Sequence, residues 1–193
     1  MYRWLLGQAS FFDILARVDI DLASAIKQQE RCPDCSGPLD FGPYPRKPRG
    51  GPVCLPDSCK IRQSLCCRRD GCRRRRPTPS VLFLDRRVYY SAAFILASVL
   101  LDGATPRRIR SLAKWIGGAS TVTLRRWRQW WRAAFPQTPV GRTAATRVVG
   151  LQADRLPAQL FDSIEGADGH RLEMMLKLMS VHGARAGPIV HDA

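Results

Sequence analysis

The chain has 193 residues, of which 45% are hydrophobic and 24% are charged, and its formal net charge at pH 7 is +15. The hydrophobic fraction excludes a disordered polycation, and the length allows one medium domain or two small ones. A net charge of +15 on so short a chain favours a polyanionic partner, nucleic acid first and an acidic membrane surface second.

The excess positive charge is confined to two segments. Residues 31–76 carry a net charge of +8, and residues 106–135 carry a further +8 with no acidic residue among them. The segments before, between and after these two are close to neutral. Because solvated faces normally mix charges of both signs, the sequence predicts two separate cationic surfaces.

The N-terminal segment predicts helix and no export signal. Its apolar start is interrupted by Asp13 and lacks a small-residue cleavage site, so we expect a cytoplasmic, nucleoid-associated protein. Residues 10–30 predict a helix in one piece or two, with Ser10 capping the first and Asp19 capping the second. The apolar side of this helix is expected to comprise Phe11, Phe12, Leu15, Ile20, Leu22 and Ile26.

All seven cysteines lie in a segment that is also rich in Pro, Gly and Arg. Clustered cysteines in a reducing compartment more often bind metal than form disulfides. The segment holds few large apolar side chains, so a structural metal would substitute for a hydrophobic core. We therefore predict a small β zinc ribbon that binds Zn²⁺, with an exposed basic loop at 44–52 and a strand at 60–65.

Two motifs supply the predicted zinc ligands. CPDC at 32–35 makes a tight knuckle on which two thiolates converge, and CCRRDGC at 66–72 supplies the second pair. Successive strand residues point to opposite faces, so only one of Cys66 and Cys67 can face the ion, and we favour Cys67. The predicted ligands are Cys32, Cys35, Cys67 and Cys72. Substitution by Cys54, Cys59 or Cys66 stays open, as does a redox or catalytic role for the thiols.

A run of arginines follows the last cysteine and predicts a first set of DNA contacts. These residues are Arg73, Arg74, Arg75 and Arg76.

The next segment predicts a short strand at 81–84 and an interior helix at 86–101 that includes Tyr89 and Tyr90. The apolar run at 88–101 is shorter than the roughly 20 residues that cross a bilayer, so no membrane span is expected.

The second basic segment, residues 105–135, predicts a helix-turn-helix. Thr105 and Pro106 begin a first helix, Gly117 makes the turn, and Ser120 caps a second helix. One stripe of the second helix is apolar, and a rotation of about 100° per residue places polar and basic side chains opposite it. The apolar stripe comprises Leu124, Trp127, Trp131 and Phe135. The expected DNA contacts are Ser120, Thr121, Val122, Arg125, Arg126, Gln129 and Arg132.

The fold class expected from these elements is mainly α with a small β zinc ribbon and a helix-turn-helix-containing helical domain. The stretch from 136 to about 151 shows no clear element, and two helices are expected near 157–165 and 169–180. The predicted organisation is an N-terminal helical segment at 1–30, a zinc ribbon at 31–80, a helical domain at 86–135 and a helical tail at 136–193.

The order CPDC, CRRDGCRRR, an apolar helix and RRIRSLAKWIGGASTVTLRRWRQWW resembles zinc-ribbon and helix-turn-helix proteins of bacterial insertion sequences and transposons. The resemblance covers roughly residues 31–135. It implies recognition of element ends or a target site in transposition or DNA recombination, beside a separate recombinase or transposase.

The sequence favours a sequence-specific double-stranded DNA-binding protein, either a mobile-element accessory factor or a transcription regulator, over an enzyme. Only three glutamates are present, and no segment remains for the sheet of a three-carboxylate transposase. Two alternatives stay open: an adaptor that docks a recombinase, transposase or polymerase, and a small recombinase or nuclease. Tyr89 and Tyr90 are the tyrosines that a tyrosine recombinase would need, but no histidine pattern supports them and we assign them to the apolar helix. The oligomeric state is also open.

Overall fold

The computed structural model describes residues 8–84 and 88–180, and these residues divide into two compact units, a first that ends at Tyr90 and a second that begins at Ser91. Within the described residues the protein is mainly helical with a small antiparallel sheet, which confirms the fold class at that level. The helices are α1 Ala9–Gln29, α2 Ser91–Leu100, α3 Pro106–Trp115, α4 Thr121–Gln129, α5 Pro139–Arg147, α6 Ala158–Asp162 and α7 Asp168–Met179. The strands are β1 Leu39–Phe41, β2 Tyr44–Pro45, β3 Ile61–Arg62, β4 Ser64–Cys67 and β5 Arg75–Pro77.

Helix α1 is a single helix, and neither predicted cap begins one. Ser10 lies inside the first turn, and the position before the helix is Gln8, whose side chain makes no capping hydrogen bond. Ile20, expected on the apolar side, is exposed, because the buried face is displaced around the helix. That buried face comprises Phe12, Leu15, Ala16, Asp19, Ala23 and Ile26.

Asp19 is buried in the middle of α1 and holds the segment that follows β5. Its carboxylate accepts hydrogen bonds from the Ser80 hydroxyl and from the backbone amides of Val81 (2.7 Å) and Leu82 (3.4 Å). Burial raises the pKa of Asp19 above its ordinary value, which these hydrogen bonds oppose. The strand expected at 81–84 is therefore absent from the described residues: the amides bond a side chain, and only Phe83 forms an isolated bridge.

The sheet of the first unit is antiparallel, with strand order β1–β4–β5. Leu39 lies opposite Cys67 in the β1–β4 pair, and Cys66 lies opposite Arg75 in the β4–β5 pair. Strands β2 and β3 form a separate two-stranded ribbon, so the strand predicted at 60–65 is split into two pieces with different partners. The predicted basic loop at 44–52 begins with β2 instead of being wholly irregular.

Tyr89 and Tyr90 lie outside helix α2, contrary to the prediction. Both side chains are buried, and the Tyr90 hydroxyl donates a hydrogen bond to the Cys59 carbonyl at 3.0 Å. The Tyr90 ring packs edge-on against Phe12, with ring centroids 4.8 Å apart, and stacks on Phe83 at 5.7 Å. Burial raises the pKa of Tyr90, so neither geometry nor ionisation favours it as a nucleophile.

An aromatic cluster forms the centre of the second unit. Nearly every residue of α2 is buried, and the helix contacts α4, α6 and α7. The Phe94 ring stacks on Trp131 with centroids 5.6 Å apart and meets Trp127 and Trp130 edge-on at 5.1 and 5.6 Å. Trp131 also packs on Phe135 at 4.7 Å. The apolar stripe predicted for the second helix is therefore buried, as expected.

Residues 136–180 contain one helix more than predicted. Helices α6 and α7 confirm the two expected helices, but α5 occupies the stretch for which no element was expected. Thr138 caps α5 by accepting a hydrogen bond from the Gly141 amide at 2.9 Å. Only Gly141 and Ala144 are buried on this helix, which is too little apolar surface to mark it in a sequence.

Within residues 8–84 and 88–180, no helix combines the length and the hydropathy that a membrane crossing requires.

We expect Asp19→Ala to lower the free energy of unfolding by about 2–3 kcal/mol, because it leaves buried donors of the 80–82 segment without an acceptor. Urea denaturation followed by circular dichroism measures the change. Asp21→Ala is the matched control, since Asp21 is exposed two residues away on the same helix. Equal effects of the two substitutions would contradict the structural role of Asp19.

Candidate metal centre and nucleic-acid interface

The first pair of predicted ligands lies in a tight turn between α1 and β1. The Cys32 amide donates to the Gly37 carbonyl at 2.9 Å, and the Ser36 amide donates to the Cys32 carbonyl at 2.7 Å. Ser36 adopts a left-handed conformation with φ of 55°, which closes the turn. Cys32 and Cys35 thus project from one compact knuckle.

The second pair is held by β4 and the turn that follows it. Cys67 is the last residue of β4, and its amide donates to the Arg74 carbonyl at 2.9 Å. The Cys72 amide donates to the Arg69 carbonyl at 3.1 Å, in a turn where Gly71 has φ of 82°. A glycine suits this position because a side chain disfavours that conformation.

The structure brings these four thiols together into a cluster. All four sulfurs lie within 4.8 Å of one another, with Cys35 and Cys67 Sγ 3.4 Å apart and Cys32 and Cys72 Sγ 3.8 Å apart. A tetrahedral ion with metal–sulfur bonds of about 2.3 Å requires sulfur–sulfur distances of about 3.8 Å. The spacing is therefore that of a site that could hold one metal ion, and it is compatible with zinc.

Burial makes the cluster a poor place for free thiolates. Cys67 is fully buried, and burial, with the neighbouring thiols, raises the pKa of Cys67 to about 12. Negative charge on four converging sulfurs needs a cation to offset it. The buried position of Cys67 therefore favours either a protonated thiol or a thiolate bound to a cation.

The backbone of Gly37 lies so close to two of the sulfurs that a side chain there would have little room. A Cβ atom added at Gly37 would lie 3.0 Å from Cys67 Sγ and 3.2 Å from Cys35 Sγ. Gly37 therefore lets the first knuckle approach the second closely enough for the four thiols to converge.

Arginines surround the cluster and bind groups of its own polypeptide. The Arg69 guanidinium donates to the Cys35 carbonyl at 2.8 Å, and Arg74 pairs with Asp34 at 2.5 Å. These bonds tie the turn at 68–74 to the first knuckle and place positive charge near the thiols. Such contacts relieve the negative charge that four thiolates leave around a divalent ion.

The predicted contacts at 73–76 are exposed but already have partners. Arg73 forms an ion pair with Asp70 at 2.5 Å, and Arg76 forms one with Glu30 at 3.3 Å. The Arg75 guanidinium lies 5.6 Å from the centre of the Tyr44 ring. Together with the ion pair of Arg74, each of the four arginines therefore has a contact within the protein. Arg68, which was not predicted as a contact, forms a two-bond pair with Asp40 at 2.7 and 2.6 Å. That pair lowers the pKa of Asp40.

The remaining cysteines are not members of the cluster that the described residues form. Cys66 points away from it, and its thiol donates to the Arg73 carbonyl at 3.3 Å, as the alternation of strand residues predicts. Cys59 is buried in a 3₁₀ turn at Asp57–Lys60, where burial raises its pKa, and Cys54 is exposed.

The second basic segment forms two consecutive helices with the predicted caps. The Thr105 hydroxyl accepts from the Arg108 amide at 3.3 Å and begins α3 ahead of Pro106. Gly117 has φ of 68° and lies in the turn after α3. The Ser120 hydroxyl then accepts from the Thr123 amide at 3.0 Å and begins α4. The buried side chains of α3, the turn and α4 are Leu112, Ala113, Ile116, Ala119, Leu124 and Trp127.

Four side chains form an exposed stripe along α4, which we call the α4 stripe. Its members are one turn or two turns apart along the helix and point to solvent: Val122, Arg125, Arg126 and Gln129. All four were predicted as DNA contacts. They lie opposite the aromatic cluster because the apolar stripe of the same helix is anchored in that cluster.

The other three predicted contacts on this segment are partly buried or already hydrogen-bonded within the protein. The Ser120 hydroxyl is engaged by the Thr123 amide and hydroxyl, and Thr121 is half-buried. Arg132 is half-buried and donates to the Asp154 carbonyl at 2.6 Å, because the helix continues beyond α4 as a wider π-helix at Trp130–Ala134. A regular 3.6-residue period gives no sign of that change.

Several cations of the first segment pair with carboxylates, but none of the second segment does so among the described residues. Among the residues that the structure describes, no carboxylate lies within 4 Å of these eight charged groups, as a salt bridge would require. The eight are Arg107, Arg108, Arg110, Lys114, Arg125, Arg126, Arg128 and Arg132. Within the part of the chain that the structure describes, this segment therefore carries eight positive charges without a carboxylate partner.

No family model, curated protein or solved structure matches this chain.

We expect Cys67→Ser to lose the bound metal, falling from about one ion per chain to near zero, because it removes the most buried thiol of the cluster. The adjacent Cys66→Ser is the matched control and retains the ion, since Cys66 Sγ bonds a backbone carbonyl outside the cluster. Elemental analysis of purified protein and absorption of the Co²⁺-substituted form measure both. Loss of metal from Cys66→Ser with retention by Cys67→Ser would show that the ligand set is wrong.

Gly37→Ala should weaken metal binding about tenfold or more, because the new Cβ would lie 3.0 Å from Cys67 Sγ. Competition with a chromogenic chelator measures the affinity. Gly42→Ala serves as the control, since its Cβ would meet nothing nearer than the Cys66 Cβ at 3.4 Å. If both variants bind metal like the parent chain, the knuckles do not need the close approach described above.

Proposed function

We propose that this chain is a sequence-specific double-stranded DNA-binding protein, in which a zinc ribbon and a helix-turn-helix each contribute a cationic surface. The observation that carries the proposal is the positive charge of α3, α4 and the helical turn that follows them. Eight cations without a carboxylate partner among the described residues are costly to place together on one short segment, and a phosphate backbone offsets that cost.

Zinc is the ion proposed for the cysteine cluster. The four donors are all sulfur, and they lie within 4.8 Å of one another, which is compatible with a tetrahedral set around one zinc ion. Thiolate donors disfavour Mg²⁺ and Ca²⁺, which prefer oxygen. The bound ion would act structurally, since four protein ligands leave no open position for a substrate.

The helix-turn-helix is proposed for α3, the turn after it and α4. Two short helices packed through small and apolar side chains, with a glycine of positive φ between them, suit this motif. The second helix then enters the major groove with its exposed side. Val122, Arg125, Arg126 and Gln129 supply apolar contact, forked donors and an amide, which are the groups that read base edges.

The two basic segments are proposed to have different tasks. Arg73, Arg74 and Arg76 are engaged in ion pairs that brace the cysteine cluster, yet their side chains keep 49% to 70% of their exposure. They can therefore approach phosphates without being dedicated to them. Sequence discrimination belongs to α4, and the ribbon adds affinity that is the same for all sequences.

The setting proposed for this activity follows from the resemblance to transposon proteins. A factor that recognises one DNA site and has no catalytic site of its own would act beside a separate transposase or recombinase, or as a transcription regulator. Residues 136–193 are the proposed docking region for such a partner, and the cytoplasm, at the nucleoid, is the proposed location.

Binding of labelled duplexes to the zinc-loaded chain, followed by fluorescence anisotropy, tests the proposal. If six of the eight cations contact phosphates, the logarithm of the affinity should fall with the logarithm of the salt concentration with a slope of about −5. Arg125→Ala combined with Arg126→Ala should lower affinity about 100-fold for a selected site and about tenfold for random duplex.

The control for charge is Arg147→Ala combined with Arg155→Ala, which removes two exposed arginines of the same unit outside the second basic segment. This control should change both affinities less than threefold. An equal loss in the two double variants, or no duplex binding at low salt, would overturn the proposal.

A further inference from the structure

The α4 stripe contains one apolar member, Val122. Val122 is 51% exposed, although the residues around it on this face are donors of hydrogen bonds or carry charge. It lies three, four and seven residues before Arg125, Arg126 and Gln129, so all four face the same way. On a surface that reads bases, a single apolar side chain among hydrogen-bond donors can contact only an apolar group of a base.

Each base pair shows different groups in the major groove, and only thymine shows a methyl group. Apolar side chains contact that methyl, an arginine fork fits the two acceptors of guanine, and a glutamine amide fits adenine. Valine has neither donor nor acceptor, so it can discriminate only through such an apolar contact. The neighbouring hydroxyls do not compete for this position, because Ser120 and Thr123 bond each other at the start of the helix.

The length of the stripe limits how many base pairs it spans. Val122 and Gln129 are seven residues apart, which is about 10.5 Å along a helix. Successive base pairs are about 3.4 Å apart, so the stripe covers about three base steps. The first and last members therefore meet bases about three pairs apart, with the two arginines over the pairs between them.

We propose that α4 reads a core of four base pairs in which Val122 contacts a thymine methyl at one end. Gln129 binds an adenine edge at the other end, and Arg125 and Arg126 bind guanine between them. This inference rests on the proposed duplex binding and adds to it the base atoms that determine specificity. Val122 is a specificity-determining residue whose contribution depends on one methyl group.

The test removes that methyl from DNA without changing base pairing. Duplexes bound by the zinc-loaded full-length chain are first recovered from a pool random over 20 base pairs. Each thymine of the recovered site is then replaced, one at a time, by deoxyuridine, and affinities are measured by fluorescence anisotropy. At the thymine three pairs from an adenine, the replacement should lower affinity about fourfold, the value expected for burying one methyl group.

Substitution of two exposed valines shows which side chain makes the affinity depend on the thymine methyl. Val122→Ala should bind the thymine and deoxyuridine duplexes with affinities within twofold of each other. Val149→Ala is the matched control, since Val149 is 98% exposed on the same unit, and it should keep the fourfold difference. Circular dichroism checks that both variants keep the helical content of the parent chain.

The outcomes separate this inference from the function on which it rests. Tight duplex binding in which every deoxyuridine replacement is tolerated would overturn the methyl contact and leave the DNA-binding function standing. A sensitive thymine that stays sensitive in Val122→Ala would overturn the assignment to Val122. Failure of the parent chain to bind any duplex at low salt would overturn both.

Discussion

Convergence of four thiols is the constraint on which the first unit depends. The buried cluster beside the thiols contains only three apolar side chains, Ile26, Leu39 and Leu65, together with Cys32 and Cys67. Such a core is too small to order the cysteine-rich segment through burial alone. Binding of one ion by the cluster would supply the missing free energy, and it would tie the last turn of α1 to the sheet through the same residues.

The ion pairs around the cluster follow from that convergence. Bringing the knuckle of Cys32 and Cys35 against the turn after β4 also brings Asp34 to Arg74 and the Cys35 carbonyl to Arg69. Exposed ion pairs of this kind contribute little stability individually. Their importance is electrostatic: they place arginine charge beside the thiols, whereas the cations of the second segment have no carboxylate partner among the described residues.

The aromatic cluster of the second unit determines which side of α4 is exposed. Phe94, Trp127 and Trp131 set the rotation of the helix about its own axis, because their rings pack in one arrangement. Burying that side exposes the α4 stripe as a continuous row. The wider π-helical turn at Trp130–Ala134 then ends the row, since it turns Arg132 towards the Asp154 carbonyl.

From the sequence alone, the features decided by local chemistry could be predicted. Ser120 and Thr105 cap helices because their hydroxyls reach amides three residues ahead, and the alternation of a strand separates Cys67 from Cys66. The apolar stripe of α4 follows from helical periodicity in the same way. These relations involve residues close in sequence, so spacing is sufficient to find them.

Only the tertiary structure decided the features that join distant residues. Asp19 is a residue type that often caps helices, but it lies buried inside α1. Its carboxylate accepts hydrogen bonds from the backbone amides of Val81 and Leu82. Tyr90 lies outside the apolar helix, where its ring packs against Phe12. Arginines that the sequence predicts as phosphate contacts have acidic partners far away in the chain, as Arg76 has in Glu30, 46 residues before it. A pattern in the sequence records the chemistry of each side chain, but its partner is set by how the whole chain packs, and partners of this kind carry no periodic signal.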